Sequence, residues 1–174
     1  MSAIDNTPTN KNFLSPLNFK FVLMRAPHIN FFVQSASIPG ISLPPVETPS
    51  PLLRIPFPGD HVSFDDLSIS FKVDEDLQDY VEIHNWMRGI GKASYEEHQA
   101  LSTKPSYSGK GERSDISLTI LKGNKTPNYQ VIFQDAFPTS LTGLDFDTTR
   151  EDVDYLEATA TFTYVQYQIS KLTA

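Results

Sequence analysis

Apolar and polar side chains alternate along most of the chain. A period of two is the mark of a strand that buries one face. Phe19, Phe21 and Leu23, set against Lys20, Val22 and Met24, predict a first strand. Phe31 to Ile38 predicts a second, reached through an Ala26-Pro27-His28-Ile29-Asn30 turn. Leu67, Ile69, Phe71 and Val73 alternate with Ser68, Ser70 and Lys72, giving one apolar and one polar face. Ile116, Leu118 and Ile120, and then Tyr129, Val131 and Phe133, flank a Gly123-Asn124 turn. Phe137-Pro138 is expected to break this ladder, with a short strand following from Leu141 to Phe146. The last alternation sets Leu156, Ala158, Ala160, Phe162 and Tyr164 against Glu157, Thr159, Thr161 and Thr163, and runs over 154–169. Strands are usually about five or six residues long, so this one needs a partner along its length, from a barrel wall or an intermolecular sheet.

One stretch changes period. Leu77, Tyr80, Val81, His84 and Met87 recur at helical spacing, with Ile83, Trp86 and Ile90 widening the stripe, and predict a single helix over 76–90. Asp74-Glu75-Asp76 supplies capping and dipole-complementing acids, and Gly89 and Gly91 supply a stop. Residues 91–114 are polar and read as a long exposed loop. Pro39, Pro44, Pro45, Pro49, Pro51, Pro56 and Pro58 keep the segment between them out of any sheet interior. Its Ile41, Leu43, Val46, Leu52, Leu53, Ile55 and Phe57 are too apolar for a solvated linker. Two readings stand: a loop folded over its own core, or an arm laid across a neighbouring subunit. Residues 1–15, rich in Asn, Thr and Ser, are expected to be a flexible arm, and 16–174 a single domain. The fold class is mainly β, a barrel or sandwich of antiparallel strands with one flanking helix and a long Pro-rich loop.

Composition strengthens this reading and narrows the function. Among 174 residues there are 12 Phe and 7 Tyr, which suit a pleated, half-buried surface. The formal charge is -7, with 14 scattered basic residues, so nucleic-acid gripping is disfavoured and a surface that repels DNA is allowed. The absence of cysteine removes disulfides, thiolate metal sites and thiol nucleophiles. No stretch approaches the roughly 18 apolar residues of a membrane span. His28, His61, His84 and His98 lack zinc-type spacing. The acids Asp145, Asp147, Glu151, Asp152 and Asp154 lack the ligand order and central Gly of a calcium loop. Asp65 and Asp66 are adjacent in an extended segment and point to opposite faces, so they are no acid–base pair. No GxSxG element or phosphate-binding Gly-rich loop is present. The chain is therefore read as non-enzymatic, without cofactor or metal, working by self-assembly.

The order of short motifs carries a resemblance. Asn18-Phe19-Lys20-Phe21 leads to Val33-Gln34-Ser35-Ala36-Ser37-Ile38-Pro39-Gly40-Ile41, then Ile55-Pro56-Phe57-Pro58-Gly59-Asp60. Next come Phe64-Asp65-Asp66-Leu67-Ser68-Ile69-Ser70-Phe71 and the acidic turn before the helix with its Asn85-Trp86. Asp135-Ala136-Phe137-Pro138-Thr139 and the terminal alternation close the series. Over residues 16–170 this resembles the tail tube proteins of contractile-tailed bacteriophages, including relatives that join tube to baseplate. The resemblance implies hexameric rings whose sheets join around a lumen, rings stacked into a tube, and DNA passing through without specific binding. It implies a sheath protein and baseplate or tube-initiator proteins as partners, assembly in the host cytoplasm and residence in the virion tail. It implies contact with an adjacent subunit by Leu43, Leu52, Leu53, Ile55 and Phe57, and a sheath-facing helix with Glu82, Asn85 and Arg88. The repeating tube subunit is the favoured reading, because the chain carries no added domain. A single-ring initiator, terminator or baseplate adaptor is the alternative within the family. A small-ligand-binding β-barrel is the alternative of another class.

Overall fold

The computed structural model describes residues 12–48, 53–93, 95–102, 111–149 and 155–172. Strand β1 (Phe19–Leu23) is followed by a one-turn helix α1 (Ile29–Phe32) and strand β2 (Val33–Ala36). Short strands β3 (Ile41–Ser42), β4 (Val46–Thr48), β5 (Ile55–Phe57) and β6 (Ser63–Phe64) precede β7 (Leu67–Lys72). Helices α2 (Gln78–Ile90) and α3 (Tyr95–Ser102) come next. Strands β8 (Ser114–Leu121), β9 (Pro127–Leu141), β10 (Glu157–Thr163) and β11 (Gln166–Lys171) complete the chain. Seven strands form one antiparallel sheet, six along the path β1-β8-β9-β10-β7-β2 and β11 beside β9. Strands β1 and β2 end the path unpaired with each other, so the sheet does not close into a barrel.

The sheet bends at one place. Asp135 takes a left-handed φ of 53°, and its N–H donates to Asp115 Oδ1 at 3.0 Å. Before this residue β9 pairs with β11, Gln134 opposite Gln166; after it β9 pairs with β10, Phe137 opposite Thr163. The return strand breaks at the same level, between β10 and β11, where the Val165 N–H donates to Gln134 O. Both members of the long hairpin thus cross together from one leaf to the other, as strands do at the corners of folded sheets. The first leaf is β1, β8, the start of β9, and β11; the second is the end of β9, β10, β7 and β2. Phe21, Leu23, Ile116, Leu118, Val131 and Phe133 from the first meet Leu67, Ile69, Phe71, Ala158, Ala160 and Phe162 from the second in one core. Ile83 and Trp86 of α2 join it.

Several expectations change for local reasons. The final alternation is two strands rather than one, and the longest strand is β9, at 15 residues. Pro138 does not break β9, because it sits opposite a register shift between Thr161 and Phe162 where a ladder N–H is not required. No strand forms at 142–146. The polar 91–114 stretch contains α3, whose sequence is built of good helix formers and, among its described side chains, buries Leu101 alone, so it shows little apolar period. The flanking helix is therefore one of three helices among the described residues. Its own start is capped differently from expectation. Leu77 takes a left-handed φ of 56°, and Asp79, fully buried, accepts the N–H of Tyr80 at 2.7 Å and of Asp74 at 3.3 Å. Burial pushes the Asp79 carboxyl above its ordinary range, while these hydrogen bonds pull it down.

The expected second strand from Phe31 is shortened by α1. Asn30 explains why: its Oδ1 accepts the Leu23 N–H at 2.7 Å and its Nδ2 donates to Leu23 O at 3.3 Å. The side chain imitates a neighbouring strand for one residue and holds the turn against the outer edge of β1. Leu23 is fully buried. Replacing Asn30 by alanine strands one buried donor and one acceptor, and a loss of about 1–3 kcal/mol in urea unfolding is expected. An unchanged midpoint would show that the clamp contributes nothing.

Candidate assembly surfaces

The solvent face of the first leaf is regular. Register places its outward residues in rows across all four strands. One row is Lys20, Thr119, Gln130 and Ser170; the next is Val22, Ser117, Ile132 and Gln168; Gln134 and Gln166 begin a third. Side chains are tied along and across the rows: Gln130 Nε2 donates to Ser117 Oγ at 2.7 Å, and Gln166 Nε2 to Gln134 Oε1 at 2.7 Å. Amides and hydroxyls dominate, and charge is confined to the ends, Lys20 at one and Asp115 at the other. Such a face offers phosphate few fixed cations to bind and few fixed anions to repel it.

The two borders of this leaf, β1 and β11, carry no further strand among the described residues. In an antiparallel ladder alternate residues send both N–H and C=O to the same side. Leu121 N–H donates to Asn18 O, and Leu23 turns to Asn30, so the even positions of β1 face β8 while Phe19 and Phe21 face outwards. Leu172 N–H donates to Asn128 O, so the even positions of β11 face β9 while Tyr167, Ile169 and Lys171 face outwards. The directions alternate across β1, β8, β9 and β11. A second β11 laid beside β1 therefore meets it antiparallel.

The Pro-rich segment is neither a plain loop nor wholly barred from strand pairing. Its base is fastened to the body: Tyr167 donates to Pro39 O, Tyr164 to Asp65 O, and the Asp65 N–H to Gly40 O. Burial pushes the Tyr164 phenol up to about 12. Strand β3 pairs with β6, and a Cβ at Gly59 would collide with the Pro44 carbonyl, so only glycine fits there. Beyond the base, β4 and β5 form a two-stranded ribbon, with Val46 opposite Phe57 and Glu47 opposite Pro56. Pro56 is tolerated because its missing N–H faces the outside of the ribbon. One face bears Val46, Ile55 and Phe57, which are 56%, 46% and 52% exposed. The other bears Glu47 with Arg54 at 3.1 Å. Leu43 and Leu53 are also exposed, and Leu52 lies outside the described residues.

On α2, Asn85 and Arg88 are exposed, while Glu82 is half-buried and already paired through one oxygen. Its Oε1 lies 2.6 Å from His28 Nδ1, and Arg25 is also within its electrostatic reach. Nothing in the sequence points to this pair, which is 54 residues apart. The hydrogen bond and charge of Glu82 hold the His28 pKa above its usual value near 6.5. The imidazolium thus favours the fold, fully below that ordinary value, and the benefit fades as pH rises through the higher folded value. The melting temperature of wild type should exceed that of His28→Gln at pH 6, and the gap should shrink by pH 9. A constant gap would remove the ion pair from the account. Among the described residues no three His, Asp or Glu side chains gather to hold a metal. Glu151, Asp152 and Asp154 of the acidic run lie outside the described residues.

The described residues thus form a bent antiparallel sandwich with unpaired borders, a face rich in amides and hydroxyls, and an apolar ribbon. The comparisons agree. The family model for phage tail tube proteins matches residues 6–170. The chain belongs to that family. The tail tube terminator protein of Enterobacteria phage T4 is 32% identical over 142 residues, covering 79% of this chain and 76% of that one. The tube-terminating cap of the anti-feeding prophage shares the fold with a TM-score of 0.62 at 20% identity, over 99% of this chain and 100% of that one. A chain of the sheath–tube complex of the PVC extracellular contractile injection system gives 0.57 at 14% identity, over 99% of each.

Proposed function

We propose that the chain is the tube terminator of a contractile phage tail, a structural, non-enzymatic hexameric ring that closes one end of the tube and leaves a bore for DNA. The observation that supports a ring is the first leaf: an even set of alternating strands, both borders open, one face of amides and hydroxyls with charge only at its ends. Joining β11 of each copy to β1 of the next continues the antiparallel order without a mismatch and removes the hazard of open edges. That face then lines the bore, and DNA slides past amides and hydroxyls. The likeness to the T4 terminator turns the reading from the repeating subunit to the single ring. Ile55 and Phe57 of the ribbon reach a neighbouring subunit, and Asn85 and Arg88 face a sheath protein. The virion tail is then the chain's place of residence.

Negative-stain microscopy and sedimentation of the purified protein test this. Single hollow rings that do not stack, and that attach to tube ends when tube protein is added, are expected. Long tubes from this chain alone would restore the repeating-subunit reading, and a monomer that ignores added tube protein would overturn both. The double variant Ile55→Asp/Phe57→Asp should keep its melting temperature and lose assembly. A collapse of the fold instead would place these side chains in the chain's own core.

A further inference from the structure

A groove of about 560 Å³ runs between residues 12–15 and the β8–β9 turn. Phe13, Leu14, Ile120 and Tyr129 give it an apolar lining, with Phe13 and Leu14 exposed, and Lys122 lines it too. Two more exposed lysines lie close by register: Lys125 in the same turn and Lys171 opposite Tyr129. Residues 12–23, 119–130 and 167–172 contain no acid at all, in a chain of net charge -7. A cleft with an apolar lining and only cationic charge around it selects an acidic segment with a large apolar side chain.

The chain itself carries such a segment. In Leu144-Asp145-Phe146-Asp147, Phe146 is 75% exposed, and the described loop 142–149 has two acids and no base. The loop is shaped before binding: Asp147 Oδ1 accepts the Thr149 N–H at 2.9 Å and its hydroxyl at 2.6 Å. Phe146 belongs to neither the core nor the ribbon. In one chain the groove and the loop stand at opposite ends of β9, separated by roughly 40 Å of strand path folded at Asp135. We infer that the β9–β10 loop of one copy docks into the β8–β9 groove of another, with Phe146 in the cleft and Asp145 and Asp147 against the lysines. The inference rests on the ring reading, because it needs a second copy. The two surfaces differ, so the contact is head-to-tail, the kind that closes rings.

The chain has no cysteine, so a pair can be installed cleanly. Phe146→Cys with Tyr129→Cys should give a ladder of covalent oligomers on oxidation, while each single variant stops at dimers. Lys122→Glu with Lys125→Glu should weaken self-association on the order of tenfold or more, and adding Asp145→Lys with Asp147→Lys should restore it. A synthetic peptide of residues 141–149 reads the groove without any ring, and its binding should be lost in Tyr129→Ala. Rings that form with no ladder, and with Phe146→Glu assembling like wild type, would overturn the inference and leave the ring standing. Peptide binding by a protein that never forms rings would uphold the pairing of loop and groove and overturn the ring. A cross-link confined within one chain, or no peptide binding and no ladder, overturns the inference.

Discussion

Trp86→Ala should lower the unfolding free energy by about 3–5 kcal/mol, which is a large part of the roughly 5–15 kcal/mol a domain has. Trp86 is almost fully buried on the inner face of α2. Its ring lies 6.1 Å from that of Phe162, at 43°, and its Nε1 donates to Glu112 O at 3.0 Å. One side chain therefore joins the helix, the second leaf and the segment that enters β8. Truncation leaves a cavity at a point where three elements meet and cannot collapse together. Trp86→Phe keeps most of the ring contact and loses the hydrogen bond, so it should cost about 1–2 kcal/mol. Trp86 is the chain's single tryptophan, so urea unfolding must be followed by far-UV circular dichroism rather than intrinsic fluorescence. A loss below 1 kcal/mol for Trp86→Ala would mean that the helix is held elsewhere, and the outward placing of Asn85 and Arg88 would lose its support.

Where one side chain of a period decides burial, the sequence is a direct guide. Leu67, Ile69 and Phe71 are buried as their alternation demands, and so are Ile116, Leu118, Val131, Phe133, Ala158, Ala160 and Phe162. The helix over 78–90 turns Ile83 and Trp86 inwards, whereas Leu77, Val81 and His84 of the expected stripe are exposed. The signal fails where a tertiary partner overrides local pattern. Phe31 and Phe32 look like strand residues, but the Asn30 clamp on Leu23 winds them into α1. Leu101, the one buried side chain described on α3, is too little to give it an apolar stripe. The bend at Asp135 depends on a change of partner, from β11 to β10, that no local spacing records. The same limit applies to the assembly surfaces. The apolar ribbon residues are visible in sequence as too many hydrophobics between prolines, yet only the Val46–Phe57 register shows that they share one face. Glu82 reads as one more exposed helix acid until His28 arrives from 54 residues away. The wall of amides and hydroxyls is invisible residue by residue, since Gln130, Ser117 and Gln168 become one surface only when the strands are aligned.

Ile169→Pro should abolish ring formation while leaving the monomer folded, and this variant separates assembly from folding most sharply. Ile169 lies on β11, opposite Val131, and is 57% exposed. By the alternation of the ladder its N–H points away from β9, to the open border. Proline removes that donor and places ring carbons where a neighbouring strand must approach, but it takes no hydrogen bond from the β9–β11 ladder. The melting temperature should stay close to wild type, and sedimentation should show monomer where wild type shows a ring. Gln168→Pro is the matched control, because its N–H faces β9, so it should lower the melting temperature. If Ile169→Pro assembles normally, the border of β11 is not the seam between subunits, and the bore cannot be lined by the first leaf joined edge to edge. If both variants unfold the chain equally, the strand tolerates no proline, and Ile169→Lys, a border charge with the N–H retained, becomes the variant whose ring content decides.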